Sequence, residues 1–428
     1  MKIQKVLLLL PALILGFAAI FSGLHARQVD TTKIHSAIMN PGEVREGILV
    51  YEDPSGDWYI WSDHRIYWDA AVYMGDNSNQ ETLPMTNGAM LRRGIIQFKA
   101  TMYRDWEAYI DLNASQGDAL TPRDMWVARH FRGDFHNFFI QAGNFKEATG
   151  IERLTSSRLI TFMERGGDGI FEDGRRKGLA LTYFNPHIWA QAGTWGQEID
   201  QRRFTQDNEA WGFNGSVAYT PIRQDRRIVH IGAWASVRPP DADNNSRVRL
   251  RGRPESRIAS NDSQRFLNTG QISDVNNYTR YGLELGTVLG PLQVQGEYKT
   301  FNVNRKNDLP NPSFWSGYVK ASYFITGESR GYFADEGEFG NFDHPRNSWG
   351  AVQLALRYSR TNLNDESAGI MGGDQEIITL GLNYFATRYI RFYFNYAFVR
   401  SDENANGAGS LIPFNYTYFQ TRMMVRLP

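Results

Sequence analysis

Residues 389–404, YIRFYFNYAFVRSDEN, alternate strictly: Ile390, Phe392, Phe394, Tyr396 and Phe398 take the even positions, and Arg391, Tyr393, Asn395 and Ala397 stand between them. A period of two is the signature of a β-strand, because successive side chains point to opposite faces. One face here is almost wholly aromatic and the other carries an arginine. A soluble sheet buries the first and covers the second with plainly charged residues; a strand wall between lipid and water wants both faces as they are.

The pattern recurs from about Trp58 onward. IIQFKATMY (95–103) places Ile96, Phe98, Ala100 and Met102 on one face, and the next strand places Trp106, Ala108, Ile110 and Leu112 together, with a tight turn between. Similar pairs close at FNPH (184–187), LGP (289–291) and ATRY (386–389), while 239–275 and 327–347 form long polar connections expected at the opposite end. In AVQLALRYS (351–359) Val352, Leu354, Leu356 and Tyr358 face lipid and Gln353 and Arg357 face water; in LQVQGEYK (292–299) Gln293, Gln295, Glu297 and Lys299 line the inside. About sixteen strands are expected, ending with YTYFQTRMMVRLP. Membrane-crossing strands of about 9–11 residues would use under half the chain and leave room for long loops. The fold class is therefore all-β: a transmembrane antiparallel β-barrel around an aqueous lumen, since that many strands leave a channel and not a packed core. No repeat of solenoid or propeller length is seen.

Composition narrows the picture. The apolar run from Val6 to about Gly23, behind Lys2 and Lys5, predicts a signal peptide over 1–26 with cleavage after Ala26. The run's length and the bulky Leu24 leave an uncleaved anchor as the alternative. A lead-in of 27–57 then precedes a barrel domain of 58–428. Lys+Arg and Asp+Glu both number 46, so no overall field recruits nucleic acid or small anions, and any charge selectivity must be local. Arginine outnumbers lysine several-fold, which suits forked contacts to oxyanions and equally suits pairing with carboxylates inside a barrel. Cysteine is absent, which excludes disulfides and thiolate metal sites, and the eight histidines occur singly without metal-ligand spacing. No cofactor is expected, and no enzyme chemistry is required. An exported chain, polar on average yet 14% aromatic, has the composition of an outer-membrane barrel.

GNFKEATGIERLTSSRLITFMERG (143–166) breaks the strand pattern in mid-chain. It resembles the loop signature of the phosphate-selective porin O and P family of Gram-negative outer membranes. LRRGIIQFKATMYRDWEAYIDL (91–112), RGRPES (251–256), YGLELGTVLGPLQVQGEY (281–298), YVKASYFITGESRGYF (318–333) and WGAVQLALRYS (349–359) resemble that family too, in its order. The resemblance implies a homotrimeric porin, embedded in outer-membrane lipid and lipopolysaccharide, with a long third loop folded inward as a constriction. It implies small phosphate-like anions as permeants. Carried over residue by residue, the anion path would use Arg92 and Arg93 on the second strand, Arg153, Ser156, Ser157 and Arg165 from the loop, and Arg330 after TGES, with Asp124 as the acidic partner.

Each motif also has a plainer reading. RRG (92–94) fits a strand start at the headgroup level, SS with MER fits a helix cap and a local ion pair, and Arg175, Arg176 and Lys177 fit a loop-to-strand edge. Where a characterised phosphate channel has lysine, this chain offers Arg153 and Arg330; the alternation around Lys320 does not decide which way it points. The C-terminus, Leu-Pro, departs from the usual aromatic end, leaving Phe419 and Met423 as anchors. The leading function is passive diffusion of small anions through a water-filled pore. A general, weakly selective small-solute porin is the alternative, and a barrel enzyme or adhesin is the competing class.

Overall fold

The computed structural model describes residues 48–427 except 76–84, 116–119, 200–208, 242–244, 259–263, 341, 343 and 344. The expected signal peptide, most of the lead-in and Pro428 lie outside the described residues. The strands form a closed antiparallel barrel of 16 strands. Its first strand is two pieces, Trp58–Ser62 and His64–Gly75, broken at Asp63, and both pair with the long second strand Gly88–Met102. The last strand, Tyr416–Leu427, closes the circle against His64–Gly75, with Leu427 opposite His64. A short strand, Ile48–Glu52, lies within the expected lead-in and pairs with Trp58–Ser62, continuing the place in the ladder that Leu427 vacates. Closure matters in lipid because every backbone donor and acceptor must be satisfied inside the protein.

The alternation read from the sequence sets the two faces. In Ile390–Ser401 the side chains of Arg391, Tyr393, Asn395 and Ala397 are buried inward, and Phe398 is exposed outward. In Ala351–Asp365, Leu354 and Leu356 are about half exposed while Gln353 and Arg357 are buried. Among the described residues no helix is long and apolar enough to cross a membrane.

Two features differ from the expectations. Segment 327–347, read as a long loop opposite the tight turns, belongs to connection 325–350, which lies at the turn end itself. It follows Ser313–Phe324, whose Phe324 amide bonds to the Pro291 carbonyl of the Gly290–Pro291 turn. Strand direction decides this: two strands later the chain has returned to the end it left, so an even number of crossings fixes which end a connection occupies. The lumen is also not water throughout. Connection 239–274 turns inward, and Leu250, Phe266 and Ile272 pack with Phe301, Leu363 and Val399 of the wall into an apolar core within the barrel. Strand alternation distinguishes inward from outward; it carries no information on whether a loop or water meets the inward face.

Candidate functional site

Loop 147–174 leaves Asn137–Lys146 and folds into the lumen. Its α-helical turn, Ile151–Leu154, starts after Gly150, whose φ of +116° suits glycine; a Cβ there would strike the Glu297 carboxylate. The first amides of that turn donate to wall carboxylates, Ile151 to Glu284 and Glu152 to Glu297 Oε1 at 2.7 Å. Lys320 pairs with the Glu152 side chain. Further along, the Met163 amide donates to Asn395 Oδ1 at 3.0 Å, Asn383 Nδ2 donates to the Thr161 carbonyl at 3.0 Å, and Arg357 Nη1 donates to the Glu164 carbonyl at 2.8 Å. The far wall therefore holds the back of the loop through side chains that alternation turns inward. The front of the loop faces the strands between His64–Gly75 and Ile188–Trp195, and a cavity of about 500 Å³ lies between them.

Two irregularities concentrate charge on this wall. The register slips where Tyr67 and Trp68 meet Arg93 and Leu91, leaving Arg92 unpaired in the ladder. Arg92 and Arg93, adjacent in sequence, both reach the cavity as a result. A second slip, where Ile110 and Leu112 meet Met125 and Pro122, does the same for Arg123 and Asp124. Strict alternation would send one of each pair to lipid.

Of the residues predicted from the sequence, Arg92, Arg93, Arg153, Ser156, Ser157, Arg165 and Asp124 all line this cavity, and they are not equivalent there. Arg92 forks onto Glu164, with Nε at 2.9 Å from Oε1 and Nη2 at 3.2 Å from Oε2. Arg93 lies over the Tyr67 ring, its guanidinium carbon 5.9 Å from the centroid. Arg153 donates to the Asp173 and Gly174 carbonyls at 2.5 and 2.9 Å. Burial outweighs the nearby Glu172, and Arg175 and Arg165 add to it, pushing Arg153 down to about 10, so it remains charged at neutral pH. Arg165 braces the loop from within, through the Glu152 and Thr155 carbonyls at 2.6 and 2.7 Å. The hydroxyls of Ser156 and Ser157 lie 3.4 Å from Arg65 Nη1 and the Tyr67 hydroxyl. Asp124 accepts from Arg175 Nε at 2.6 Å.

Four placements correct or complete the sequence reading. Arg330 does not line the cavity: it arrives with the turn-end segment and donates to the Leu159 carbonyl at 2.7 Å, on the buried side of the loop. Burial, reinforced by Arg391, pushes it down to about 9. Lys320 points inward but also behind the loop, onto Glu152. Arg175 and Arg176 open strand Arg175–Phe184, at the loop-to-strand edge as read, but Arg175 also lines the cavity and Arg176 is buried against Asp173 and Asp241. Glu164 makes no local pair with Arg165; it gathers Arg92, Arg422 and Arg257. Burial alone would raise the Glu164 carboxyl, and those three guanidiniums more than offset this, holding it well below the usual carboxylate range.

Sequence reasoning missed Arg65, Arg123, Lys146 and Arg158, which also line the cavity. Alternation offered a signal for Arg65, which shares the inward face of Tyr67; nothing local marked Arg123, because its direction depends on a bulge. Among the described residues lining the cavity, eleven are Arg or Lys and nine are Asp or Glu. Three of those acids, Asp335, Glu336 and Glu338, come from the turn-end segment, and one cation, Arg257, comes from connection 239–274, so the wall and the loop alone present ten cations against six acids. Among the described residues no group of His, Asp and Glu is placed to hold a metal ion.

Comparison with known proteins agrees with this architecture. The chain is 22% identical over 351 residues to Porin O of Pseudomonas aeruginosa, covering 76% of this chain and 79% of that one. It is 29% identical over 275 residues to an uncharacterized protein of Caulobacter vibrioides, which covers 60% of this chain but only 53% of that relative's length. Among solved structures it resembles an anion-selective porin from Comamonas acidovorans, with a TM-score of 0.51, 13% identity and coverage of 87% and 100% of the two chains. It also resembles the in-vitro folded outer membrane protein OmpT of Vibrio cholerae in its trimer form, with a TM-score of 0.53, 11% identity and the same coverage. Residues 62–427 match the family model described as phosphate-selective porin O and P, from the first barrel strand to the last, and the chain belongs to that family.

Proposed function

We propose that the protein is a passive, anion-favouring pore of a Gram-negative outer membrane, that its permeants are small oxyanions of the phosphate class, and that it works as a homotrimer. The observation that carries the reading is the cavity between loop 147–174 and the wall, where arginines and lysines outnumber acids although the whole chain is neutral. An anion entering this passage gives up part of its hydration, and charge-assisted N–H donors with serine hydroxyls replace it. Arg93 and Arg123 on the wall face Arg153, Ser156 and Ser157 on the loop across this cavity. Contacts spread over several sites, none of them closing around the ion, permit release as well as entry. Acids within the same lining, above all Glu164 on Arg92 and Asp124 on Arg175, keep the site from becoming a trap. Trimeric assembly is supported by the family and by the trimer form of the Vibrio cholerae neighbour.

Conductance in planar bilayers tests the reading. Trimers extracted from outer membranes should give a reversal potential on the anion side in a KCl gradient, and added phosphate should reduce chloride current. A reversal potential near zero without phosphate block would replace this reading with that of a weakly selective small-solute pore.

A further inference from the structure

The cavity wall is not only charged. Tyr109 and Trp126, direct cross-strand partners, stack with ring centroids 5.1 Å apart and planes within 2° of parallel, and both line the cavity. Gly143 opposes Trp126 on the next strand with φ of +137°, and a Cβ there would come within 2.9 Å of Trp126 Cβ and closer still to the Met125 carbonyl. The backbone thus makes room for the indole at that position. One step toward the loop end stand Arg123, which approaches Asp111 at 3.9 Å, and Arg175 on Asp124. An inorganic oxyanion needs donors and gains little from a flat π-surface, whereas a pore wall in water usually carries polar side chains at such positions. An aromatic pair beside guanidiniums matches a ligand that is itself flat at one end and anionic at the other.

We propose that the Tyr109–Trp126 stack and the guanidiniums of Arg123 and Arg175 form one subsite for a flat organic anion, a ring carrying a carboxylate, so that the pore admits aromatic carboxylates as well as inorganic oxyanions. This rests on the anion-favouring reading above and adds a preference within it. Ring contact supplies the discrimination, since acetate reaches the same guanidiniums without it.

The test uses the intact trimer in planar bilayers, with benzoate, cyclohexanecarboxylate and acetate as blockers of chloride current. Benzoate should block at a concentration about fivefold lower than either of the others, the preference expected of a modest ring–ring contact. Tyr109→Leu with Trp126→Leu should erase the difference and leave phosphate block in place. Equal block by benzoate and cyclohexanecarboxylate in the wild type overturns the proposal without needing any variant, and so does a preference that survives the double substitution. Loss of anion preference altogether would instead remove the reading on which it rests, whereas retained anion preference with equal block would remove this proposal alone.

Discussion

Arg93→Gln removes one positive charge from the passage. Arg93 lines the cavity, over Tyr67, whereas neighbouring Arg92 is already matched by Glu164. A permeant passing about 6 Å from the guanidinium loses about 0.7 kcal/mol of interaction if the passage screens like bulk water, and about 2.8 kcal/mol at an effective dielectric of about 20. The loss acts on anions as lost attraction and on cations as lost repulsion, so the anion-to-cation permeability ratio should fall by roughly tenfold even at the water-like limit. The reversal potential in a KCl gradient measures that ratio directly. Arg360→Gln is the matched control: it alters formal charge equally, but Arg360 lies on the outer face of its strand, 40% exposed and paired with Asp374 and Glu376. Its removal should leave the ratio within about twofold of wild type, because exposed charges more than about 8–10 Å away are screened by salt. Equal shifts in the two variants, or no shift in Arg93→Gln, would refute the argument that selectivity is local to this passage.

Three further outcomes follow from the same geometry. Phe394→Arg, which replaces a lipid-facing ring stacked on Phe419, should cost about 2–4 kcal/mol near the bilayer midplane and reduce the yield of folded, heat-modifiable barrels. Asn395→Ala, one residue on but facing the loop, should assemble normally and give noisier single-channel currents; it leaves the buried Met163 amide without its acceptor, at a cost of about 1–3 kcal/mol. The Glu164 carboxyl is held well below its ordinary value, so its contribution to loop docking is present above about pH 4.3 and is lost only as pH falls through its lower, folded-state value. Open-channel noise should therefore stay flat from pH 7 to about 4 and rise only in stronger acid; a rise between pH 6 and 5 would point to a different group.

The sequence alone determined the barrel and its two faces, because a strand half in lipid and half in a polar interior must alternate, and alternation is visible residue by residue. Phe394 outward and Asn395 inward needed nothing more than their parity. The inserted loop was legible for the complementary reason: 143–166 as a whole has no such period, although its first four residues still belong to strand Asn137–Lys146 and the loop itself runs over 147–174. Tertiary structure decided what meets the inward face, and no local pattern encodes that. Arg357 and Arg391 read as water-facing in sequence, yet both hold carbonyls of the loop, at Glu164 for Arg357 and at Arg158 and Thr161 for Arg391. Arg92 and Arg93 share the lumen only because a register slip removes one residue from the ladder, and a slip depends on the partner strand. Arg330 and Arg153 look alike in sequence, one following TGES and the other GIE, but they lie on opposite faces of one loop: the first enters from the turn end behind it, the second on its front. Which charges stay available to a permeant is a matter of pairing between segments far apart in the chain, as with Glu164 and Arg422, and such distances are closed only when the barrel is.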